Sequence, residues 1–212
     1  MTEFVRARRP EQKQQRREAI LDAARTLAAE SGVGRVSLGN VATAVGLAKS
    51  NIARYFATRE EIYLELAAEG WNEWREAVLH RLAAGDDAVD ALVETLAARP
   101  LFCDLLSHDS TSLEHNASHA AALAYKRTMV AVIGELGSAV SGALSLHESE
   151  GAELVIAAIG FAALLYPANH PPPVLTEVYD QHPELAAARP PFEPTMRRML
   201  AAIAAGLPSL RT

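Results

Sequence analysis

Proline placement constrains this chain most. Of its 11 prolines, only Pro100 falls between residues 11 and 166. Proline removes a backbone N–H and clashes with the turn before it, so long stretches without it remain open to helix. Those stretches are rich in alanine, the best helix former, which occurs 41 times. No run of alternating β-branched residues interrupts them, so no strand is expected. The expected fold is all-α. Half of the 212 residues are apolar, enough to bury a core and too many for a disordered chain.

Periodicity places the helices. The first is expected from about Gln12 to Ser31, with Ile20, Ala23, Ala24, Leu27 and Ala28 on one face. Gly32 and Gly34 end it, because glycine accepts the left-handed conformation past a helix end. Ser37 caps a short helix of about Leu38 to Val45, Gly46 turns, and a second short helix covers about Lys49 to Tyr55. Thr58 and Glu61 form a capping box that opens a long helix carrying Ile62, Leu66, Trp74, Val78 and Leu82. Further helices are expected over about 87–98, 101–107, 112–144, 148–165 and 193–205. The stretch 167–173 reads as an irregular connector, and 174–189 carries no clear assignment.

The net charge of −6 argues at first against a nucleic-acid partner. Its distribution reverses that inference. Residues 1–60 hold 11 Lys+Arg against 6 Asp+Glu, a net of +5, and residues 61–212 hold 9 against 20, a net of −11. A basic head can meet a polyanion while an acidic body is turned away from it. The lone Cys103 excludes an intramolecular disulfide and any multi-cysteine zinc module. The N-terminus lacks an apolar leader, and the most apolar stretch, Leu154 to Tyr166, is too short to span a bilayer. A cytoplasmic protein with no membrane partner is expected.

Two short helices around a glycine turn, after a longer first helix, make a helix-turn-helix pattern. The second short helix reads the major groove with its N-terminal residues. Lys49 and Arg54 suit guanine, Asn51 suits adenine, and Ser50 suits either. Ser37, Tyr55 and Arg59 are the candidate phosphate contacts, and Arg6, Arg8, Arg9 and Lys13 form a basic arm. Phe56, Ile52, Val41 and Val45 are assigned to the core of the head.

These residues carry a resemblance. The segment AILDAARTLAAESGVGRVSLGNVATAVGLAKSNIARYFATREEIYLEL, Ala19–Leu66, resembles the head of the TetR family of bacterial transcriptional regulators. Ala24, Leu27, Gly32, Ser37, Val41-Ala42, Gly46, Tyr55-Phe56 and Arg59-Glu60-Glu61-Ile62 supply the family pattern. Ala48 and Ala53 depart from it, standing where such heads often carry Ser and Tyr. The resemblance implies a DNA-binding domain over 1–60 and an all-helical ligand-sensing and dimerisation domain over 61–212. It implies a homodimer through the helices near 148–165 and 193–205, whose small Gly151, Ala158 and Gly160 permit close approach. The expected partners are a pseudo-palindromic double-stranded DNA operator and a small, largely apolar effector that releases a repressor.

An effector pocket needs a mostly apolar lining with a few polar groups. The candidates are Trp71, Trp74, Phe102, Leu106, Asn116, Tyr125, Met129, Phe161 and Leu165, with Leu101, Leu105 and Tyr166 beside them. Ordinary core packing is the competing role for each. The competing function is a metal-binding or hydrolytic protein built on His108, Asp109, His115 and His119, where His115 and His119 stand at i, i+4. No HExxH or GxSxG pattern accompanies them. No catalytic residue, metal or cofactor is assigned, and Cys103 is read as a buried apolar residue rather than a redox sensor.

Overall fold

The computed structural model describes residues 4–108 and 112–211, with side chains described from residue 11 onward. Among the described residues the chain is helical and forms no strand.

Three helices make the head: α1 (Phe4–Ser31), α2 (Leu38–Ala44) and α3 (Lys49–Ile52). A 3-10 turn, Val33–Arg35, joins α1 to α2. Gly32 enters it at φ 84° and Gly46 turns between α2 and α3 at φ 65°, a region that favours glycine. Ile20, Ala24, Val41, Ile52 and Phe56 close the core of the head. α4 (Arg59–Ala83) then runs from the head into the body without a break, crossing the expected boundary at residue 60.

The body comprises α5 (Ala88–Ala97), α6 (Pro100–His108), α7 (His119–Leu144), α8 (Glu148–Asn169), α9 (Pro173–Gln181), α10 (Pro183–Ala187) and α11 (Phe192–Gly206). α8 packs on α6, α7 and α11, and α4 packs on α7. Where α7 meets α8 the backbones nearly touch. A Cβ on Gly151 would strike the Gly137 carbonyl, so only glycine permits this approach. Arg197 of α11 holds Asp90 of α5 at 2.5 Å and Glu94 at 3.0 Å, which fastens the last long helix to the body.

Several boundaries differ from the sequence expectation. α1 begins at Phe4 rather than Gln12, so the basic segment at residues 6–9 belongs to a helix and not to an arm. α3 stops at Ile52, and the Tyr55 and Phe56 amides turn back onto the Ile52 carbonyl. The expected helix over 112–144 begins only at His119, because Ser118 is extended and caps Ala121. α8 continues through Pro167 to Asn169, whose side chain donates to the Leu165 carbonyl at 2.9 Å. At 22 residues α8 is long and apolar enough to cross a membrane, unlike the shorter stretch read from sequence. One of its faces buries Leu154, Val155, Ala158, Ala162 and Leu165 in the core. α9 begins at Pro173, the last residue of the expected connector, and with α10 occupies most of the unassigned stretch 174–189, each helix opened by a proline at its first turn.

Candidate nucleic-acid interface and effector region

The turn that positions the reading helix is locally determined. The Ser37 hydroxyl accepts from the Asn40 amide at 3.2 Å, and the Asn40 side-chain oxygen accepts from the Ser37 amide at 2.8 Å. The Ser37 hydroxyl also donates to that oxygen at 2.6 Å. This reciprocal cap fixes the start of α2. Ser37 is exposed but its hydroxyl and amide are engaged by Asn40, a partner the sequence pattern does not reveal. The small side chain at Ala48 leaves α3 without a side-chain cap, as its departure from the family pattern implied.

Lys49, Ser50, Asn51 and Arg54 are all exposed. Among the described residues, none of the four side chains has an intramolecular hydrogen bond or ion pair. Asn51, Arg54 and half-buried Tyr55 line a surface hollow of about 200 Å³ together with Leu47 and Arg16. Arg16 of α1 is therefore a cation of this surface that reading α3 alone does not reveal. Its signal was its helical position four residues ahead of buried Ile20.

Arg59 is placed differently from the other candidates. Its guanidinium donates to the Val33 carbonyl, pairs with Glu60 at 3.2 Å and lies 5.0 Å from the centre of the Tyr63 ring. Only 20% of its side chain is exposed. It ties α4 to the 3-10 turn instead of facing outward with Arg54.

Two body residues also grip the head side of α4 and the turn. Asp104 of α6 accepts from the Val33 amide at 2.7 Å. Glu61 accepts from the Ala57 amide at 2.7 Å and from the Ser118 amide at 3.3 Å, so one carboxylate joins the entry of α4 to the cap of α7. Burial pushes the Glu61 carboxyl up, but hydrogen bonds from the Ser118 side chain and from the Ala57 and Ser118 amides outweigh it and draw it below its ordinary range. Thr58 caps the Glu61 amide at 3.2 Å, but the expected reciprocal bond from Glu61 back to Thr58 is replaced by the one to the Ala57 amide, so only half of the capping box forms.

The effector candidates gather in part. Trp71 lies 5.8 Å from Trp74 and 5.4 Å from Phe102, edge to face. The Trp71 indole donates to the Tyr125 hydroxyl at 3.1 Å, and the Trp74 indole donates to Thr95 at 2.9 Å. Leu106 and Leu165 belong to the same core, with Met129 and Phe161 packed against it. Asn116 does not join them. It is exposed and donates to the Ser112 carbonyl at 3.3 Å. Tyr125 alone of these also lines a cleft of about 360 Å³ between head and body, with Arg17, Phe56, Glu61 and Glu65. Phe102 lines a second groove of about 270 Å³ with Leu66, Gly70 and Leu101.

The histidines are not arranged as a helical pair. His115 sits in the 3-10 turn Glu114–Asn116 and His119 opens α7, with extended Ala117 and Ser118 between them. The one-face i, i+4 geometry expected from sequence is therefore corrected. Asp109 lies outside the described residues. Among the described residues, no three His, Cys, Asp or Glu side chains gather as a metal site. Burial pushes the Cys103 thiol up to about 12, so it is not the thiolate that redox chemistry needs.

Family comparisons agree with this architecture. The N-terminal domain profile described as bacterial regulatory proteins, tetR family, matches residues 20–66. The profile described as a tetracyclin repressor-like C-terminal domain matches residues 68–210. The chain belongs to the TetR family. Two solved structures of this TetR-family fold are similar to it. The fatty acid degradation regulator FadR from Bacillus halodurans is 13% identical with a TM-score of 0.55, covering 92% of this chain and 99% of that one. FadR of Thermus thermophilus, a TetR-family transcriptional repressor in complex with lauroyl-CoA, is 22% identical with a TM-score of 0.47, covering 69% and 83%. No curated protein sequence matches the chain.

Proposed function

We propose that this TetR-family transcriptional regulator is a homodimeric repressor that reads a pseudo-palindromic operator and is released by a small apolar effector. The observation that carries the DNA reading is the exposed row of Lys49, Ser50, Asn51 and Arg54, engaged by nothing among the described residues. These side chains meet base edges, while Arg16, Tyr55 and the Ser37 turn face phosphates. Arg59 is withdrawn from that set because its guanidinium is spent on Val33, Glu60 and Tyr63. The basic head faces the duplex and the acidic body points away from it.

The dimer reading rests on α8 and α11. Opposite its buried face, α8 exposes Ile156 (51%) and Leu164 (70%) with Gly160 between them. α11 exposes Met199, Ala201, Ala202 and Ala205. Such apolar faces want a partner, and two copies packing them as a four-helix bundle would bury them around a two-fold axis. The effector reading rests on the aromatic cluster of Trp71, Trp74, Phe102 and Tyr125, which the head–body cleft reaches at Tyr125. A ligand that favours one arrangement of α4, α6 and α7 shifts the spacing of the heads. Substituting Lys49 or Asn51 by alanine should change sequence preference in a gel-shift assay, at about 1–3 kcal/mol for each base-edge pairing removed. Unchanged preference in both variants rejects the assignment of α3 as reader.

A further inference from the structure

We propose that Asp104 is the positioning residue through which the reading head follows α6 of the body. The inference rests on the DNA-binding function proposed for the head and names the link that function requires.

The link is a single residue held from two sides. Val33 is fully buried in the turn between α1 and α2. Its amide donates to the Asp104 carboxylate of α6 at 2.7 Å, and its carbonyl accepts from the Arg59 guanidinium of α4. Both are hydrogen bonds to charged groups, the stronger class. The Val33 backbone therefore cannot shift while α6 and α4 stay in place.

The link is stiff on both sides. On the head side, Gly32 enters the turn at φ 84°, buried Val36 closes it, and Ser37 follows as the cap of α2. Four residues thus separate Val33 from the start of the helix that packs on α3. On the body side, Asp104 stands between Cys103 and Leu105, both buried in the core. One turn further along α6, His108 lies against Gly34 of the same turn and 3.6 Å from Asp104. Phe102, two residues before Asp104, packs on Trp71 and Trp74. A displacement of the aromatic core moves α6, α6 carries Asp104, and Asp104 carries the Val33 turn. Packed elements transmit such shifts because they are not continuously deformable.

Coupling between sites is reciprocal, so it can be read from the DNA side without any effector. Amide hydrogen exchange is measured on the full chain with and without a duplex recovered by selection from random DNA. Thermal melting checks that each variant is folded. In the wild type the duplex should slow exchange over residues 37–56 and also over 100–108. In Asp104→Ala the first change should persist while the second falls by about fivefold or more, the low end of ordinary coupling. Asp104→Asn keeps an oxygen that accepts from Val33 and should restore most of it. A merely stabilising Asp104 would raise exchange in free and bound protein alike and leave the DNA-dependent difference intact. A wild-type difference at 100–108 in Asp104→Ala, or no difference there in the wild type, overturns the inference. No protection at 37–56 in the wild type overturns the DNA-binding function, and the inference with it.

Discussion

The Trp71 indole and the Tyr125 hydroxyl, 54 residues apart, meet at 3.1 Å in the core and join α4 to α7. Both side chains are buried, Trp71 at 0% and Tyr125 at 2% exposure. Tyr125→Phe keeps the ring and removes the acceptor, leaving the Trp71 N–H unpaired. A buried unpaired donor costs about 1–3 kcal/mol. Urea unfolding of the variant should show a loss of that size with an unchanged slope. An unaltered midpoint would mean that this hydrogen bond does not hold α4 to α7.

Leu164 makes a different prediction, because its side chain is exposed in one chain and buried in the proposed dimer. Leu164→Glu should leave the folded chain within about 0.5 kcal/mol of wild type, as ordinary surface changes do. It should weaken the dimer by about 3 kcal/mol or more by placing unpaired carboxylates in the interface, at least a hundredfold in dissociation constant. Sedimentation equilibrium separates the two effects. An unchanged dimer constant would place the interface elsewhere.

Much of this architecture was legible in the sequence, and the losses have physical causes. The head was legible because its signals are local: Gly32 and Gly46 take positive φ, and Ser37 and Thr58 cap their helices as their spacing requires. Arg59 was not, because sequence shows that a cation stands at a helix start but not which way it turns. Here a carbonyl 26 residues away claims it. The link from Asp104 to Val33 spans 71 residues, and no periodicity signals such a pair. The effector candidates were chosen for size and apolarity, which describe core and pocket equally well. The structure separates only Asn116 from the rest. Pro167 misled because proline is costly in a helix interior, yet the last turn of α8 tolerates it.

Arg54 and Arg59, five residues apart, should therefore behave differently. Arg54→Ala should weaken binding to DNA. It should relax preference at one base position, as removal of a base-reading arginine does. Arg59→Ala should leave the salt slope unchanged and loosen the head, seen as faster exchange around Val33. A reduced salt slope in Arg59→Ala would return it to the phosphate-binding set.

Acid should unfasten the C-terminal end. Arg211 grips Glu150 with two hydrogen bonds, at 2.7 and 2.5 Å, and Glu150 also accepts from the His147 amide at 2.7 Å. The guanidinium holds the Glu150 carboxyl down at about 2, against an ordinary 4.5. A carboxyl lowered on folding contributes stability that is complete above its unfolded value. That contribution is lost as pH falls from about 4.5 toward 2. Glu150→Gln should melt lower than wild type at neutral pH, and the gap should close across this window. A gap that stays constant down to pH 2 would contradict the pairing.

Selection of bound duplexes from a random pool tests the central claim most directly, since one experiment reports function, reader and symmetry together. The account predicts enriched pseudo-palindromes with two half-sites about 10 bp, or a simple multiple, apart from centre to centre. Repeating the selection with Asn51→Ala should keep the spacing and relax preference at one position in each half. Failure to enrich any sequence, or enrichment of a lone asymmetric half-site, would contradict it.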